Sequence, residues 1–197
     1  MLQALIFDIG NVLLEFDFRY AYEKLDHLSD GFNPESVTEV ERLKNLCESG
    51  MISREAFEKA VVHALQFRGT TADFAHIWKD IFTLNQPMVE FVESLHGKIP
   101  LYLLSNTSAI HLEHVLETYP VFQYFKDGIY SHKVRMAKPD PEIFQLAAKR
   151  FQVVPENTGF IDDLLSNIKS AREVGFRGFH YDARDHEMAI AEIKTLI

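Results

Sequence analysis

The chain has 197 residues and is 47% hydrophobic, enough for a sizeable core in one domain, or in one domain carrying an insertion. Its 20 lysines and arginines face 29 aspartates and glutamates; the net charge of -9 argues against nonspecific nucleic-acid binding and against an anionic membrane surface, and leaves room only for a local cationic site for a small anion. Cys47 is the only cysteine, which excludes an intrachain disulfide; with no basic leader and no apolar run near the ~18 residues of a membrane span, a soluble cytoplasmic protein is expected.

The first predicted element is the apolar run Ala4-Leu5-Ile6-Phe7, the pattern of a strand buried on both faces of a parallel sheet. It delivers Asp8 into the turn Ile9-Gly10-Asn11. From about Phe16 to Gln86 the pattern is helical throughout, with no convincing buried strand. Candidate helices are Tyr20 to Leu28, Pro34 to Glu48, Ser53 to Gln66 and Thr71 to Phe82, with N-caps at Ser53 and Thr71. A helical block placed straight after the first strand suggests a cap over the sheet edge; the plainer alternative is a set of helices packed on one sheet face. Beyond it, a helix is predicted over Met88 to Leu95 and a strand over Pro100 to Leu104. A weaker strand follows at Gly128 to Tyr130, then a helix from Pro141 to Phe151. The series closes with a strand at Thr158 to Ile161, a helix from Leu165 to Val174 that stops at Gly175, and a strand at Gly178 to Tyr181. Strands alternating with helices predict an α/β fold, a doubly wound, Rossmann-like parallel sheet. Its core is expected at residues 1–15 and 87–197, with an all-helical cap at 16–86.

In open parallel sheets, ligands bind beyond the carboxyl ends of the strands. Asp8 lies at one such end, Ser105-Asn106-Thr107 at a second and Asp162-Asp163 at a third. Adjacent carboxylates repel each other, and a hard cation shared with a phosphate, such as Mg²⁺, is the usual remedy. The alternative for that pair is that one of them caps the helix near Leu165. Lys138 precedes Pro139, which holds its backbone extended and helps to aim its ammonium at the same place. Ser105 and Asn106 can donate hydrogen bonds to phosphoryl oxygens, or simply begin a loop.

The stretches Phe-Asp-Ile-Gly-Asn-Val, Leu-Ser-Asn-Thr, Lys-Pro-Asp-Pro-Glu-Ile-Phe and Phe-Ile-Asp-Asp resemble, in order, the four signature motifs of the haloacid dehalogenase-like hydrolase superfamily. The likeness spans roughly residues 1–15 and 87–182, and the helical block resembles the small cap that follows the first strand. Within that block, Glu48 to Phe57 resembles bacterial sugar-phosphate phosphatases, a branch also similar to the N-terminal phosphatase domain of soluble epoxide hydrolases. The resemblance implies a phosphatase of small phosphate esters, with Asp8 attacking phosphorus to form an aspartyl-phosphate that water hydrolyses. It implies Mg²⁺ held by Asp8, by the carbonyl of Gly10 and by Asp163, with Asp162 in support or bound through water. Ser105 and Asn106 would grip the phosphoryl group, and Lys138 would balance negative charge.

Position 10 departs from the superfamily pattern. A second aspartate usually stands there, protonating the leaving oxygen and later activating water; Gly10 keeps the carbonyl and loses the proton donor. Either water or a cap residue donates, or the leaving group needs little protonation, as in glycosyl, acyl or aryl phosphates. The competing classes are a metal-free haloacid dehalogenase and a catalytically silent binding protein. His111 and His114, three residues apart without a third ligand, are read as surface or capping histidines. Lys133 and Arg135 either enrich the positive field near Lys138 or lie in a solvated loop. The oligomeric state is left open, a monomer being the expectation.

Overall fold

The computed structural model describes residues 1–197. Five strands form one parallel sheet: β1 (Ala4–Phe7), β4 (Leu101–Ser105), β5 (Asp127–Tyr130), β6 (Thr158–Asp162) and β7 (Arg177–His180). They are ordered β5-β4-β1-β6-β7, so β1 lies in the middle. The register sets Phe7 beside Leu103 on one side and beside Ile161 on the other.

Two-residue alternation sends successive side chains of each strand to opposite faces. Leu5, Phe7, Leu101, Leu103, Ile161 and Phe179 build one core. It is covered by α5 (Gln86–Leu95), α6 (Ala109–Thr118) and α10 (His186–Lys194). Ile6, Tyr102, Leu104 and Phe160 build the other, under α8 (Pro141–Phe151) and α9 (Leu165–Glu173). Helices on both faces make the sheet doubly wound, as the alternating pattern indicated. A parallel sheet covered on both sides has to be apolar at every position, which explains the unbroken runs in the sequence.

The intervening segment folds into α1 (Phe18–His27), α2 (Pro34–Glu48), α3 (Arg54–Leu65) and α4 (Thr71–Lys79). They enclose a core of their own around Leu25, Leu43, Phe57, Phe74 and Trp78. Asn33 caps α2 and exchanges hydrogen bonds with Ser36 in a capping box, and Ser53 caps α3. For α4 the cap is Thr70 rather than Thr71, because Thr70 can accept from Asp73 N–H while the Asp73 carboxylate accepts in return.

The helical reading fails at the segment's far end. Phe82–Leu84 is a strand, β3, paired antiparallel with β2 (Leu14–Phe16). Three residues are too few to show an alternating pattern, so the strand was hidden at the end of a block read as helical throughout. Both passages of the chain between the sheet and the helical segment run through this ribbon.

Candidate active site

The chain runs outward from β1 through β4 to β5, then returns to the other side of β1 for β6 and β7. The carboxyl ends of β1, β4 and β6 therefore meet at the point where strand order reverses, and the polar residues that follow them converge. Asp8, directly after β1, is 8% exposed; its Oδ1 accepts from the Ile9 N–H at 2.7 Å and lies 2.9 Å from Lys138 Nζ. The same ammonium reaches Asp162 Oδ2 at 2.6 Å. Its side chain is 1% exposed, so Lys138 is a buried cation between two carboxylates, not a solvated one. Asp162 is fully buried, and both its oxygens are engaged: Oδ1 accepts from Leu164 N–H and Asn167 Nδ2, Oδ2 from Lys138 and Asn167. It accepts from the Leu164 N–H just ahead of α9 and anchors the lysine; the N-cap position of α9 is Leu164 and no side chain caps that helix, so the cap reading of the pair does not hold.

Asp163 is half-buried, and its Oδ2 accepts from Asn11 Nδ2 at 3.0 Å. Asn11 adopts φ 52°, a left-handed conformation that asparagine tolerates better than most residues. The turn around it is gathered by the Ile9 carbonyl, which accepts from Leu13 and Leu14 N–H. Carboxylate oxygens of Asp8, Asp162 and Asp163 all lie within 4.8 Å of one another. Three carboxylates against one ammonium leave two negative charges unbalanced, which is the charge of one divalent cation. Oxygen-only donors of this kind suit a hard ion. Burial raises Asp8 to about 6, with Lys138 pulling it down and Asp162 pushing it up. Burial also raises Asp163, opposed by the Asn11 hydrogen bond and reinforced by Asp162. Lys138 is raised because attraction to Asp8 and Asp162 outweighs its own desolvation.

Ser105 ends β4 and is 3% exposed. Asn106 does something the sequence did not suggest. Its amide nitrogen donates to the Lys138 carbonyl at 2.8 Å and its amide oxygen accepts from Lys138 N–H at 2.9 Å, so it clamps the lysine's backbone. Its backbone N–H and second amide hydrogen are what it can offer an anion. Asn11 and Asn167, which orient Asp163 and Asp162, were missed; their positions in sequence, three residues after Asp8 and five after Asp162, carry no signature of that task.

Gly10 sits against Phe16. A Cβ at position 10 would stand 2.8 Å from Phe16 Cε1, so the ring fills the space that a larger residue's side chain would enter. His111 is not at the surface: it is 4% exposed, and its Nε2 lies 3.1 Å from the Trp78 carbonyl, which makes that nitrogen the protonated one. Lys133 and Arg135 are exposed, with the Lys133 ammonium over the Tyr130 ring, and neither lines the cavity above Asp8.

That cavity has a volume of about 280 Å³. Asp8, Ser105, Lys138 and Asp163 form its floor, and Lys44 and Glu48 of α2 enter from the helical segment. A larger groove of about 750 Å³ shares Asn11, Phe16, Ile81 and Asp163 with it.

Fold and site together define a Rossmann-like α/β protein with an acidic, lysine-braced centre at the switch point of its sheet. The chain belongs to the haloacid dehalogenase-like hydrolases, whose family model matches residues 2–175. It is 27% identical over 189 residues to the D-ribitol-5-phosphate phosphatase of Bacteroides thetaiotaomicron, covering 91% of both chains. It is 24% identical to the phosphorylated carbohydrates phosphatase of Thermotoga maritima, over 88% of this chain and 82% of that one. A crystal structure of a HAD family enzyme from B. thetaiotaomicron, in complex with magnesium and inorganic phosphate, matches with a TM-score of 0.83 at 26% identity, over 93% of this chain and 96% of the other.

Proposed function

We propose that the protein is a Mg²⁺-dependent phosphatase of small phosphorylated metabolites, with Asp8 as the nucleophile. The observation that carries this reading is the buried Lys138 ammonium, 2.9 Å from Asp8 and 2.6 Å from Asp162, with Asp163 on the open side of the cluster. The charge deficit and the oxygen-only donors fit magnesium, which the structural relative binds together with phosphate. Asp8, the Gly10 carbonyl and Asp163 would hold the ion, and Asp162, its oxygens already engaged, would support Asp163 and Lys138. When bound, the ion supplies positive charge that lets a carboxylate and a phosphate dianion approach each other.

The residues then divide the work. An Asp8 oxygen forms a bond to phosphorus while the bond to the leaving oxygen breaks. Lys138 holds Asp8 in place and offsets charge that accumulates on the phosphoryl oxygens. Ser105 Oγ and the Asn106 N–H groups steady those oxygens. Water then attacks the aspartyl-phosphate at phosphorus and returns Asp8 to its free form. No carboxyl at position 10 serves either step, so good leaving groups are favoured. Residues 16–86 act as the cap that closes over residues 1–15 and 87–197.

The direct test uses an aryl phosphate with Mg²⁺, with chelator, and with Asp8→Asn. Release that requires Mg²⁺ and disappears in the variant is expected; release insensitive to both would overturn the reading. For leaving-group preference, glucose 1-phosphate should turn over faster than glucose 6-phosphate, and equal rates with chemistry limiting would count against it.

A further inference from the structure

The cavity above Asp8 has a polar floor and apolar walls. Phe16, Phe18, Ile81, Phe82, Val115 and Leu164 line those walls. Phe16 and Leu164 remain open to solvent, at 39% and 53% exposure. The β2–β3 ribbon sets Phe16 opposite Phe82, and their ring centres are 6.4 Å apart in an edge-to-face arrangement. Phe18, at the start of α1, meets Phe16 edge-on at 5.8 Å. Single exposed apolar residues are ordinary on a protein surface; three rings gathered beside a reactive carboxylate are not.

The polar wall of the same cavity lies elsewhere. Lys44 and Glu48 of α2 bound it, and the end of that helix is tied down over β4 and β5. There the Glu48 carbonyl accepts from the hydroxyl of Ser131, the first residue of the short helix α7 (Ser131–Val134) that follows β5. The same hydroxyl accepts from the Thr107 N–H, beyond the end of β4, at 2.9 Å. Phe16 lies on the β6 side, where it shares a groove with Asp163.

Glycine at position 10 has two consequences that coincide. It removes the acid, so a leaving group has to depart without a proton. It also makes room for the Phe16 ring, whose Cε1 would lie 2.8 Å from a Cβ at that position. An aromatic ring thus stands where a proton donor would have been. A phenolate satisfies both conditions: its charge spreads into its ring, and that ring offers a flat apolar face to the phenylalanines. A glycosyl or acyl phosphate satisfies only the first. The cavity's volume, about 280 Å³, is at the small end for a ligand pocket and suits a phosphate carrying one ring.

We propose that the preferred substrates are small aryl phosphates, the monoesters of phenols, and that Phe16 determines this preference by packing against the ring of the leaving group. An Asp8 oxygen bonds to phosphorus as the bond to the phenolic oxygen breaks; the phenolate keeps the electron pair and takes its proton from solvent after release. This rests on the phosphatase reading and names the substrate class of the same site.

A phenolate leaves readily from any site, so recognition has to be read apart from chemistry. The experiment measures, by calorimetry, the binding of benzylphosphonate, cyclohexylmethylphosphonate and ethylphosphonate to the Mg²⁺-loaded protein; none of the three can be hydrolysed. It compares wild type, Phe16→Leu and Phe16→Ala. Benzylphosphonate should bind wild type about 10- to 100-fold more tightly than ethylphosphonate, the worth of burying one ring. It should also bind more tightly than its cyclohexyl counterpart, by about threefold or more, because only a flat ring pairs edge-to-face. Phe16→Ala should cut the preference for benzyl over ethyl about tenfold, and Phe16→Leu by less, since leucine keeps apolar contact without the ring. Alongside, wild-type kcat/KM on phenyl phosphate should exceed that on glucose 1-phosphate. Equal binding of the benzyl and ethyl compounds, or of the benzyl and cyclohexylmethyl compounds, would overturn the proposal. A preference unchanged in Phe16→Ala would make Phe16 a structural residue and overturn it too, as would a kcat/KM on glucose 1-phosphate at or above that on phenyl phosphate. Phosphate release from phenyl phosphate that needs Mg²⁺ and disappears in Asp8→Asn upholds the phosphatase reading whatever the phosphonates show. Silence on phenyl phosphate removes that reading, and this one with it.

Discussion

A Cβ added to Gly10 would meet the Phe16 ring at 2.8 Å, and that ring is 39% exposed, so it has room to turn outward. The missing acid can therefore be restored in two stages. Gly10→Asp alone forces Phe16 aside, whereas Gly10→Asp with Phe16→Ala opens the space first. We expect the double variant to gain about 100-fold in kcat on alkyl phosphates, the lower end of what general acid catalysis contributes. An aryl phosphate, whose leaving group needs no proton, should gain little. An equal gain on both would show that ring removal, not proton donation, was responsible. Asn11 supports a second prediction. It donates to Asp163 Oδ2, so Asn11→Ala frees the carboxylate to rotate and should weaken Mg²⁺ about 10- to 100-fold, the usual scale for a group that orients a metal ligand. The check is the Mg²⁺ concentration for half-maximal activity, with kcat at saturation little changed.

Among the elements, α6 and α4 meet through His111. Its ring donates to the Trp78 carbonyl, stacks on the Trp78 indole at 15°, and meets Phe82 edge-on. Burial lowers it from 6.5 to about 4, so it stays neutral in the folded chain. The unfolded chain takes up a proton near pH 6.5 that the folded chain refuses until about pH 4, so stability falls as pH drops across that window. Keeping His111 neutral across that window costs the fold about 3 kcal/mol once it has been crossed. In His111→Phe the hydrogen bond goes and so does the titration. At pH 7 the variant should be less stable by about 1 kcal/mol, the worth of a neutral hydrogen bond. Urea denaturation should then show the gap closing and reversing toward pH 4; a constant gap would place the pH sensitivity elsewhere.

For the molecule as a whole, two unbalanced negative charges in the centre mean that a bound divalent cation stabilises the fold. At about 100 times its Kd, Mg²⁺ should contribute about 2.7 kcal/mol, or roughly 5–10 °C in Tm for a chain of this size. Asp163→Asn should lose most of that shift, and a shift of equal size in the variant would remove Asp163 from the ligand set. No helix is long and apolar enough to cross a membrane. The doubly wound sheet was legible because strands buried on both faces must be apolar at every position, as Ala4–Phe7 and Leu101–Leu104 are. Strand β3 was not legible, since three residues cannot display a period, and the buried place of His111 was not, because an isolated histidine looks the same on a surface as under a tryptophan.

The sequence by itself determined which residues could meet: a carboxylate or hydroxyl following each of three apolar runs has to appear at the same edge once those runs pair in parallel. It also determined that position 10 offers a carbonyl and no acid. Only the tertiary structure decided how the pieces are used. It assigned Asp162 to hold the lysine and left Asp163 open, turned Asn106 into a clamp on Lys138, filled the space beside Gly10 with Phe16, and set Glu48 over the site. These outcomes depend on contacts between residues far apart in the chain, where a difference of one ångström separates a hydrogen bond from none, and local pattern carries no record of such distances.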